Sequence, residues 1–445
     1  MVIYLGPARR AGDGSRRTPH NSKIMGRWLG GYNAGLARVK IRAAHPQGIA
    51  MQTESTQLKT IRADHTGGLA HPAWLNDLYA RYGAGAASEQ ELRTGQDRAV
   101  REVIARQEAL GFELVNDGEF RRIGGFQDSF GGAVAGFDGV PYGAKWARHS
   151  DSGFAGADAI PGQDPRRIET GLSAARGEGL AIYNRLPVKH RLRLAHNLIL
   201  DEFRLASEVA QRPVKVTLIG PDRASQRFAY EDSREVYADM DEFLADVVAI
   251  ERQMIAEVVD AGCRYIQIDE PGLTAYVDPP ILAQMRARGE DPMANLERSI
   301  RADNALIADF PGVTFGVHIC RGGSGGRGGA GAHREGSYDP IAERLFGQLN
   351  FDRFLLEYDS EAAGTFDALR FLPEGKMAVL GLLSNHGPEI ETADWLKGRL
   401  DEASEFHSLD QTALCPRCGM RGAGEAVQWA KFEVMHQVAR EVWRS

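Results

Sequence analysis

The chain has 445 residues, of which 43% are hydrophobic and 25% charged, with a formal net charge of −7. These values are ordinary for a globular protein with a large core, and no apolar run approaches the roughly 18 residues of a membrane-spanning helix. Residues 1–50 hold nine lysines and arginines against one acid, a net +8, so the other 395 residues carry −15. An acidic body argues against a nucleic-acid partner, which needs a concentrated basic face.

The first fifty residues differ in composition from the rest of the chain. They are basic, rich in glycine, alanine and arginine, and show no sustained helical or strand period. We therefore expect a disordered extension over residues 1–50, upstream of a natural start at Met51, and one domain over residues 51–445. A functional tail and an organelle-targeting segment are the alternatives that this composition allows.

Beyond Met51, short β-rich runs alternate with longer amphipathic patterns. Most of the short runs are continuously apolar, as in parallel strands that are buried on both faces. The predicted strands are Leu58–Ala63, Phe112–Asn116, Val214–Ile219, Arg264–Ile268, Thr314–His318, Arg353–Glu357, Met377–Leu383 and Gln411–Leu414. Helices are predicted between them, including Gln96–Leu110, Asp232–Ala261, Ala294–Asp309 and Ala426–Arg444. Eight such units predict an α/β fold, a (β/α)8 TIM barrel, with a doubly wound open sheet as the alternative.

Two segments depart from this alternation. Residues 120–200, an insertion after the second strand, are first rich in glycine and aromatic residues and then contain two β-like runs, Ile168–Leu172 and Leu180–Pro187. This pattern predicts a loop and a β-hairpin over one mouth of the barrel. The segment Arg321–Gly336 contains eight glycines and is either a mobile lid or a disordered surface loop.

Ionisable and metal-binding side chains follow most of the predicted strands. Barrel enzymes place their active sites at these C-terminal strand ends. In chain order the positions hold Asp64 and His65, Asp117 and Glu119, Asp269 and Glu270, His318 and Cys320, Glu357, His386, and Cys418. We therefore expect one site at this end of the barrel.

A zinc site is predicted at His318, Cys320, Glu357 and Cys418. His-x-Cys at a strand end places both side chains on one face, because strand side chains alternate with a period of two. Two thiolates, an imidazole and a carboxylate supply the donors that tetrahedral zinc prefers. A weakly held carboxylate yields to an incoming thiol, whose pKa the ion lowers.

Simpler explanations exist for each of these residues taken alone. Buried cysteines and core histidines are common, and Cys415-Pro-Arg-Cys418 fits half of a zinc ribbon or a redox pair. A ribbon built from two such pairs is excluded because the chain has no second C-x-x-C. Asp269 is also a good helix N-cap, and Glu119 has Arg121 and Arg122 as possible ionic partners.

Seven motifs in this order resemble the cobalamin-independent methionine synthase superfamily, and more narrowly its short single-barrel paralogues of the C-terminal catalytic half. The resemblance runs from about Leu58 to Trp443. The motifs are Arg62-Ala-Asp-His-Thr-Gly-Gly68, Asn116-Asp-Gly-Glu-Phe-Arg-Arg122, Gln267-Ile-Asp-Glu-Pro271, His318-Ile-Cys-Arg-Gly322, Leu355-Leu-Glu-Tyr-Asp-Ser360, Leu382-Leu-Ser-Asn-His-Gly-Pro388 and Cys415-Pro-Arg-Cys-Gly419.

The resemblance implies roles for residues of this chain. The zinc ligands would be His318, Cys320, Glu357 and Cys418, and His386 would donate a proton as a general acid. The acids at Glu119 and Asp269 would hold the amino group of homocysteine. The segment from His65 to Gly68 would cradle the substrate carboxylate, with Gly68 where the family typically has serine.

The function implied is a zinc-dependent methyltransferase that acts in the cytoplasm on a small thiol such as homocysteine. The partners are that thiol and a methyl donor, with no nucleic acid and no membrane. The segment Val216–Asp222 lacks the tryptophan on which the full-length enzymes stack the folate pterin, so a donor other than polyglutamyl folate is expected. The alternatives are a zinc-dependent thiol alkyltransferase or epoxide–coenzyme M type lyase, a zinc- or thiol-binding protein without turnover, and a metal-free decarboxylase.

Overall fold

Six parallel strands form the main sheet of the computed structural model, which describes residues 55–122, 125–137, 187–226, 228–321, 334 and 336–443. The strands of this sheet are β3 (Lys215–Ile219), β4 (Tyr265–Asp269), β5 (Thr314–Ile319), β6 (Arg353–Glu357), β7 (Met377–Leu383) and β8 (Thr412–Pro416). Two shorter strands, β1 (Val134–Ala135) and β2 (Arg193–Leu194), precede them in the chain and form a separate pair. Strands β3 to β8 lie side by side in sequence order, and every residue in them is buried. Connections that return to a neighbouring parallel strand need helical crossovers, as the alternating pattern predicted.

Helices fill those crossovers and pack around the sheet. The longer ones are Ala73–Gly83, Glu89–Leu110, Leu198–Val209, Met240–Asp260, Pro279–Ala287, Pro292–Ile307, Asp339–Gln348, Ala393–Ser404 and Glu425–Val442. The four predicted helices are confirmed with shifted ends. Glu89–Leu110 begins seven residues earlier than predicted because Ser88 and Glu91 form a reciprocal capping box.

The first two predicted strands are wrong over most of their length. Ser55–Lys59 is a helix, and Leu58–Ala63 contributes only a single parallel bridge from Ala63 to Leu414 of β8. Phe112–Asn116 contributes one bridge, from Val115 to Val214 beside β3. Leu58 lies in this helix and Ile61 lies two residues after its end, and both are buried against Leu114 and Tyr265.

These two segments flank the main sheet on opposite edges. Among the described residues no strand pairing joins them to each other. They are connected instead by hydrogen bonds from the Leu69 amide to the Gly118 oxygen (3.1 Å) and from Asn116 Nδ2 to the Gly67 oxygen (2.9 Å). The segments that follow both bridges therefore lie together at the C-terminal end of the sheet.

The insertion is seen only at its base. A four-residue helix, Asp128–Gly131, precedes β1, which pairs antiparallel with β2 at the far end of the insertion. The predicted hairpin runs Ile168–Leu172 and Leu180–Pro187 lie outside the described residues, as do residues 1–50 and most of the glycine-rich loop. No helix in the described part of the chain is both long and apolar enough to cross a bilayer.

A group of charged and polar side chains is buried at the N-terminal ends of the strands, at the opposite end of the sheet from His318 and Cys320. Asp64 accepts hydrogen bonds from Lys215 (2.7 Å), Tyr265 (2.8 Å) and Arg353 (3.2 Å), and all four residues are fully buried. Burial alone would raise the pKa of Asp64, but Lys215 and Arg353 outweigh it and hold that pKa well below its usual value. The carboxylate is therefore charged and fixes two cations in the interior.

A second buried carboxylate, Glu251, has no nearby cation to offset the effect of burial among the described residues. Glu251, in the helix Met240–Asp260, is fully buried, and neither of its carboxyl oxygens has a hydrogen-bond partner in the part of the chain that the structure describes. Burial, followed by the charge of Asp303, raises its pKa well above the usual value. The folded protein therefore binds a proton here that the unfolded chain releases above about pH 4.5, so stability falls as the pH rises above that value.

We expect Glu251→Gln to stabilise the protein at pH 8 and to change it far less at pH 5, because the amide removes this proton linkage. The gain is about 1.4 kcal/mol for each unit by which folding raises the pKa. Denaturant unfolding at both pH values measures it, with Asp260→Asn as the exposed control from the same helix. Equal destabilisation of Glu251→Gln at the two pH values would contradict the expectation.

Candidate metal and substrate site

Three of the four predicted metal ligands converge at the C-terminal end of the sheet. His318 is the second-last residue of β5, Cys320 directly follows that strand, and Cys418 lies two residues after the end of β8. One ring nitrogen of His318 and the two sulfur atoms lie within 4.8 Å of one another, and the sulfur atoms are 3.7 Å apart. His318 and Cys320 are buried, whereas Cys418 is partly exposed.

The chemistry of this group fits a zinc ion. Neither ring nitrogen of His318 has an oxygen or nitrogen partner among the described residues, although buried polar atoms are normally satisfied. Burial lowers the pKa of His318, but Cys320, Asp269 and Glu357 outweigh it and raise that pKa. The contact with Cys320, followed by burial, raises the pKa of the Cys418 thiol well above its usual value. A cation between these donors would stabilise both thiolates, and one imidazole with two thiolates is a donor set that zinc prefers.

Glu357, the fourth predicted ligand, is held beside this group. It ends β6 and is fully buried. Its Oε1 is 2.9 Å from Arg417 Nη2, and its Oε2 accepts a hydrogen bond from the backbone amide of Arg321 at 2.8 Å. Arg417 also contacts Asp359 at 3.3 Å. Arg417 and the Arg321 amide thus each contact one oxygen of the carboxylate, and its role as a ligand stays a prediction.

The two cysteines of the C-x-x-C motif have different surroundings. Cys415 lies within β8, is fully buried, packs with Leu355, Met377 and Val379, and points its thiol at the Val379 carbonyl oxygen. Cys418 lies beyond the strand end and contacts Cys320. Only Cys418 of this pair therefore belongs to the metal group.

Glu119 lies at the end of a tight turn near the metal group. Its φ of 58° is unusual for a residue with a side chain, and the carboxylate of Asp117 accepts a hydrogen bond from its amide at 2.9 Å. Glu119 Oε1 accepts hydrogen bonds from Thr217 (2.8 Å) and from Arg122 (3.1 Å). The predicted ionic partner is thus Arg122, while Arg121 pairs with Asp97.

Asp269 connects the metal group to Glu119. It ends β4 and lies opposite His318 in the pairing of β4 with β5, and it accepts a hydrogen bond from Gln267 at 2.6 Å. Burial raises its pKa to about 7, an effect that His318 opposes and Glu119 strengthens. A carboxyl group with this pKa responds to a nearby positive charge by ionising.

The predicted carboxylate segment is divided between the site and the core. A Cβ atom built on Gly68 would lie 3.0 Å from Glu119 Oε2, so this glycine borders the site. The imidazole of His65 packs against Phe112 with 5.1 Å between ring centroids, and burial, followed by Lys215, lowers its pKa to about 3. The structure brings Gly68, rather than the His65 ring, next to Glu119.

The loop that carries His386 contacts the loop that carries Cys418. His386 is partly exposed, and its amide donates to Ser384 Oγ at 3.3 Å. The preceding residue, Asn385, donates from Nδ2 to the Gly419 oxygen at 2.8 Å. The predicted proton donor is therefore on a loop tied to the metal group, and its chemical role stays a prediction.

No family model matches the chain, but individual relatives do. "Uncharacterized protein YxjH" of Bacillus subtilis strain 168 is 29% identical, over 88% of this chain and 97% of the relative. "Methionine synthase" of Pyrococcus abyssi is 23% identical, over 84% of this chain and 91% of its own length.

Two solved structures share the fold. One is a putative vitamin-B12 independent methionine synthase from Listeria monocytogenes, with a TM-score of 0.60 and 24% identity, covering 86% of this chain and 98% of that one. The other is a B12-independent methionine synthase from Shewanella sp. W3-18-1, in complex with selenomethionine, with a TM-score of 0.62 and 18% identity, covering 86% of this chain and 97% of that one. The chain is thus similar in sequence to a methionine synthase and shares the fold of two B12-independent methionine synthase structures. It matches these proteins over nearly their whole length.

Several arginines contact acids at the C-terminal end of the sheet without having been predicted as site residues. Arg122 also pairs with Glu202 at 2.7 Å, Arg417 with Glu357, and Arg421 donates to the Glu119 backbone oxygen at 2.6 Å. All three lie inside the sequence motifs or within two residues of one, and this position in the sequence could have pointed to them. Arginine is mostly exposed in proteins, so its residue type alone gave no reason to place these side chains in the interior.

Proposed function

We propose that the protein is a zinc-dependent S-methyltransferase acting on a small amino-acid thiol such as homocysteine. The observation that carries the proposal is the group of His318, Cys320 and Cys418, with two buried acids, Glu119 and Asp269, beside it. These acids would bind the ammonium group of the substrate. The names of the relatives support the reaction class. The selenomethionine complex of the Shewanella protein supports an amino-acid ligand for a fold of this kind.

His318, Cys320 and Cys418 would hold the zinc ion, with Glu357 as the fourth ligand. Bound there, zinc would lower the pKa of a substrate thiol so that the nucleophilic thiolate exists at neutral pH. Arg417 and the Arg321 amide fix the position of Glu357 and balance its charge. These contacts hold the carboxylate of Glu357, the proposed fourth ligand, beside the other three donors.

The acids beside the metal group would orient the substrate. Glu119 is fixed by Thr217 and Arg122, so its carboxylate is presented without side-chain freedom. Asp269, with a pKa near 7, ionises as the substrate ammonium group approaches. His386 would protonate the leaving group of a methyl donor other than polyglutamyl folate.

The fold proposed for this chemistry is a closed (β/α)8 barrel. The isolated bridges at Ala63 and Val115, next to β8 and β3, support this proposal because the first two strands of a barrel would pair there. The hydrogen bonds between Gly67–Leu69 and Asn116–Gly118 also support it, because they join the segments that follow the two bridges. The cytoplasm, a reducing compartment, suits the proposed chemistry because none of the four cysteines forms a disulfide.

The proposal is tested by zinc content and methyl transfer on the same preparation. Elemental analysis of the reduced, chelator-free protein is expected to give about one zinc per chain. Incubation with homocysteine and either methylcobalamin or S-methylmethionine, followed by mass spectrometry, is expected to give methionine. Coenzyme M with an epoxide serves as the parallel assay for an alkyl-transfer alternative.

Each negative result has a distinct meaning. Absence of zinc would overturn the metal assignment. Zinc with bound thiol but no product from any donor would favour a binding protein without turnover. Product only from coenzyme M and an epoxide would show that the enzyme alkylates a sulfonated thiol and would overturn methyl transfer as its reaction.

A further inference from the structure

Arg421 is a buried cation whose hydrogen-bonding capacity is only partly used. It follows Cys418 by three residues, and its side chain is only 8% exposed. Nη2 donates to the backbone oxygen of Glu119 at 2.6 Å. Nε and Nη1 are inaccessible to solvent, and neither has a hydrogen-bond partner among the described residues. Unsatisfied guanidinium donors in the interior are costly, so the position calls for an acceptor.

The space beside this guanidinium group is bounded by opposite charges. A Cβ atom on Gly68 would lie 3.0 Å from Glu119 Oε2 on one side and 3.4 Å from Arg421 Nε on the other. Glu119 Oε2 and Arg421 Nη2 are 4.0 Å apart, whereas Glu119 Oε1 is engaged by Thr217 and Arg122. Because Gly68 has no side chain, the Glu119 carboxylate and the Arg421 guanidinium group both approach its backbone closely.

An amino acid carries the complementary pair of charges on a single carbon atom. Its ammonium group would face Glu119 and its carboxylate would face Arg421, where Nε and Nη1 have no partner among the described residues and could form charge-assisted hydrogen bonds. The loop from Cys418 to Arg421 also fixes the position of Gly68 relative to Cys418. The Met420 amide donates to the Gly68 oxygen at 2.7 Å, so Gly68 is held against the segment that supplies the Cys418 thiolate.

We propose that Arg421 binds the α-carboxylate of the amino-acid thiol and thereby selects for substrates that carry one. The inference rests on the proposed function and deepens it, because it names the residue that would hold the substrate carboxylate. A purely structural role, in which Arg421 holds the Glu119 turn, accounts for Nη2 but not for Nε and Nη1, which have no partner in the described part of the chain.

The test compares two thiols that differ only in the carboxylate. Dissociation constants of L-homocysteine and 3-aminopropane-1-thiol are measured by calorimetry for the zinc-loaded wild type, Arg421→Met and Arg421→Lys. Arg421→Met is expected to weaken homocysteine binding about 10- to 100-fold, the usual cost of a hydrogen bond to a charged group. Binding of 3-aminopropane-1-thiol is expected to change less than about threefold, and Arg421→Lys to restore part of the homocysteine affinity. Arg106→Met, which removes an exposed arginine paired with Glu425, is the matched control.

The outcomes separate this inference from the proposed function. Equal weakening of both thiols in Arg421→Met would assign Arg421 a structural role and overturn the inference. Unchanged homocysteine affinity in the same variant would also overturn it, while leaving the methyltransferase proposal intact. Failure of the zinc-loaded wild type to bind either thiol would overturn the proposed function and this inference together. The descarboxy thiol also reports on folding, because its binding requires the intact site.

Discussion

Replacing Cys418 by serine is expected to remove most of the bound zinc and to lower methyl transfer by more than about 100-fold. Loss of a residue that only hydrogen-bonds to a metal ligand already lowers metal affinity or activity by about 10- to 100-fold. Cys418→Ser instead removes one of the three donors that lie within 4.8 Å of one another. The hydroxyl group of serine is a far weaker zinc ligand than a thiolate. Elemental analysis and single-turnover transfer to homocysteine, on the same preparation, measure both effects.

Cys415→Ser provides the matched control, since it makes the same change three residues away. The thiol of Cys415 faces the Val379 oxygen inside an apolar cluster, so this variant is expected to lose about 1 kcal/mol of stability and to keep its zinc. Equal zinc loss in the two variants would show that the C-x-x-C motif acts as a unit. Full zinc occupancy in Cys418→Ser would remove Cys418 from the metal site.

Asp64→Asn is expected to lower the free energy of unfolding by about 3–5 kcal/mol, the typical cost of breaking a buried ion pair from one side. The change leaves Lys215 and Arg353 fully buried without the anion that lies 2.7 Å and 3.2 Å from them. The pKa of Asp64 in the folded protein lies below its usual 3.8, so its stabilising effect is present above that pH and is lost as the pH falls further. The difference between wild type and variant is therefore largest at neutral pH and narrows below about pH 4.

Urea unfolding at pH 7 measures this cost, and an exposed ion pair supplies the comparison. Glu102 pairs with Arg98 at 2.7 Å on the surface of the helix Glu89–Leu110, and Glu102→Gln is expected to cost about 0.5 kcal/mol or less. An Asp64→Asn variant as stable as Glu102→Gln would show that the interior of the sheet tolerates two unpaired cations.

The later strands were predicted well because burial on both faces leaves a strong signal in the sequence. Arg353–Glu357 and Met377–Leu383 have the predicted bounds, and β3, β4 and β5 agree within one residue at each end. Leu58–Ala63 was misassigned because a short apolar run serves a helical turn or a strand equally well. Its neighbours in space, Leu114 and Tyr265, are 50 or more residues away in the chain, and they decided the outcome.

By itself the sequence determined the alternation of strands and helices and the residue types at the strand ends. His318, Cys320 and Cys418 were predicted together because side-chain alternation and strand order fix the end of the sheet at which each residue lies. The tertiary structure alone decided which partner each of these charges has. It showed that Cys415 packs in the core, that Glu357 pairs with Arg417, and that Glu119 pairs with Arg122 rather than with Arg121. It also placed Arg421 beside Glu119, with Nε and Nη1 unpartnered among the described residues. Such pairings join residues that are distant in sequence, and their energies depend on burial and distance, which local pattern does not encode.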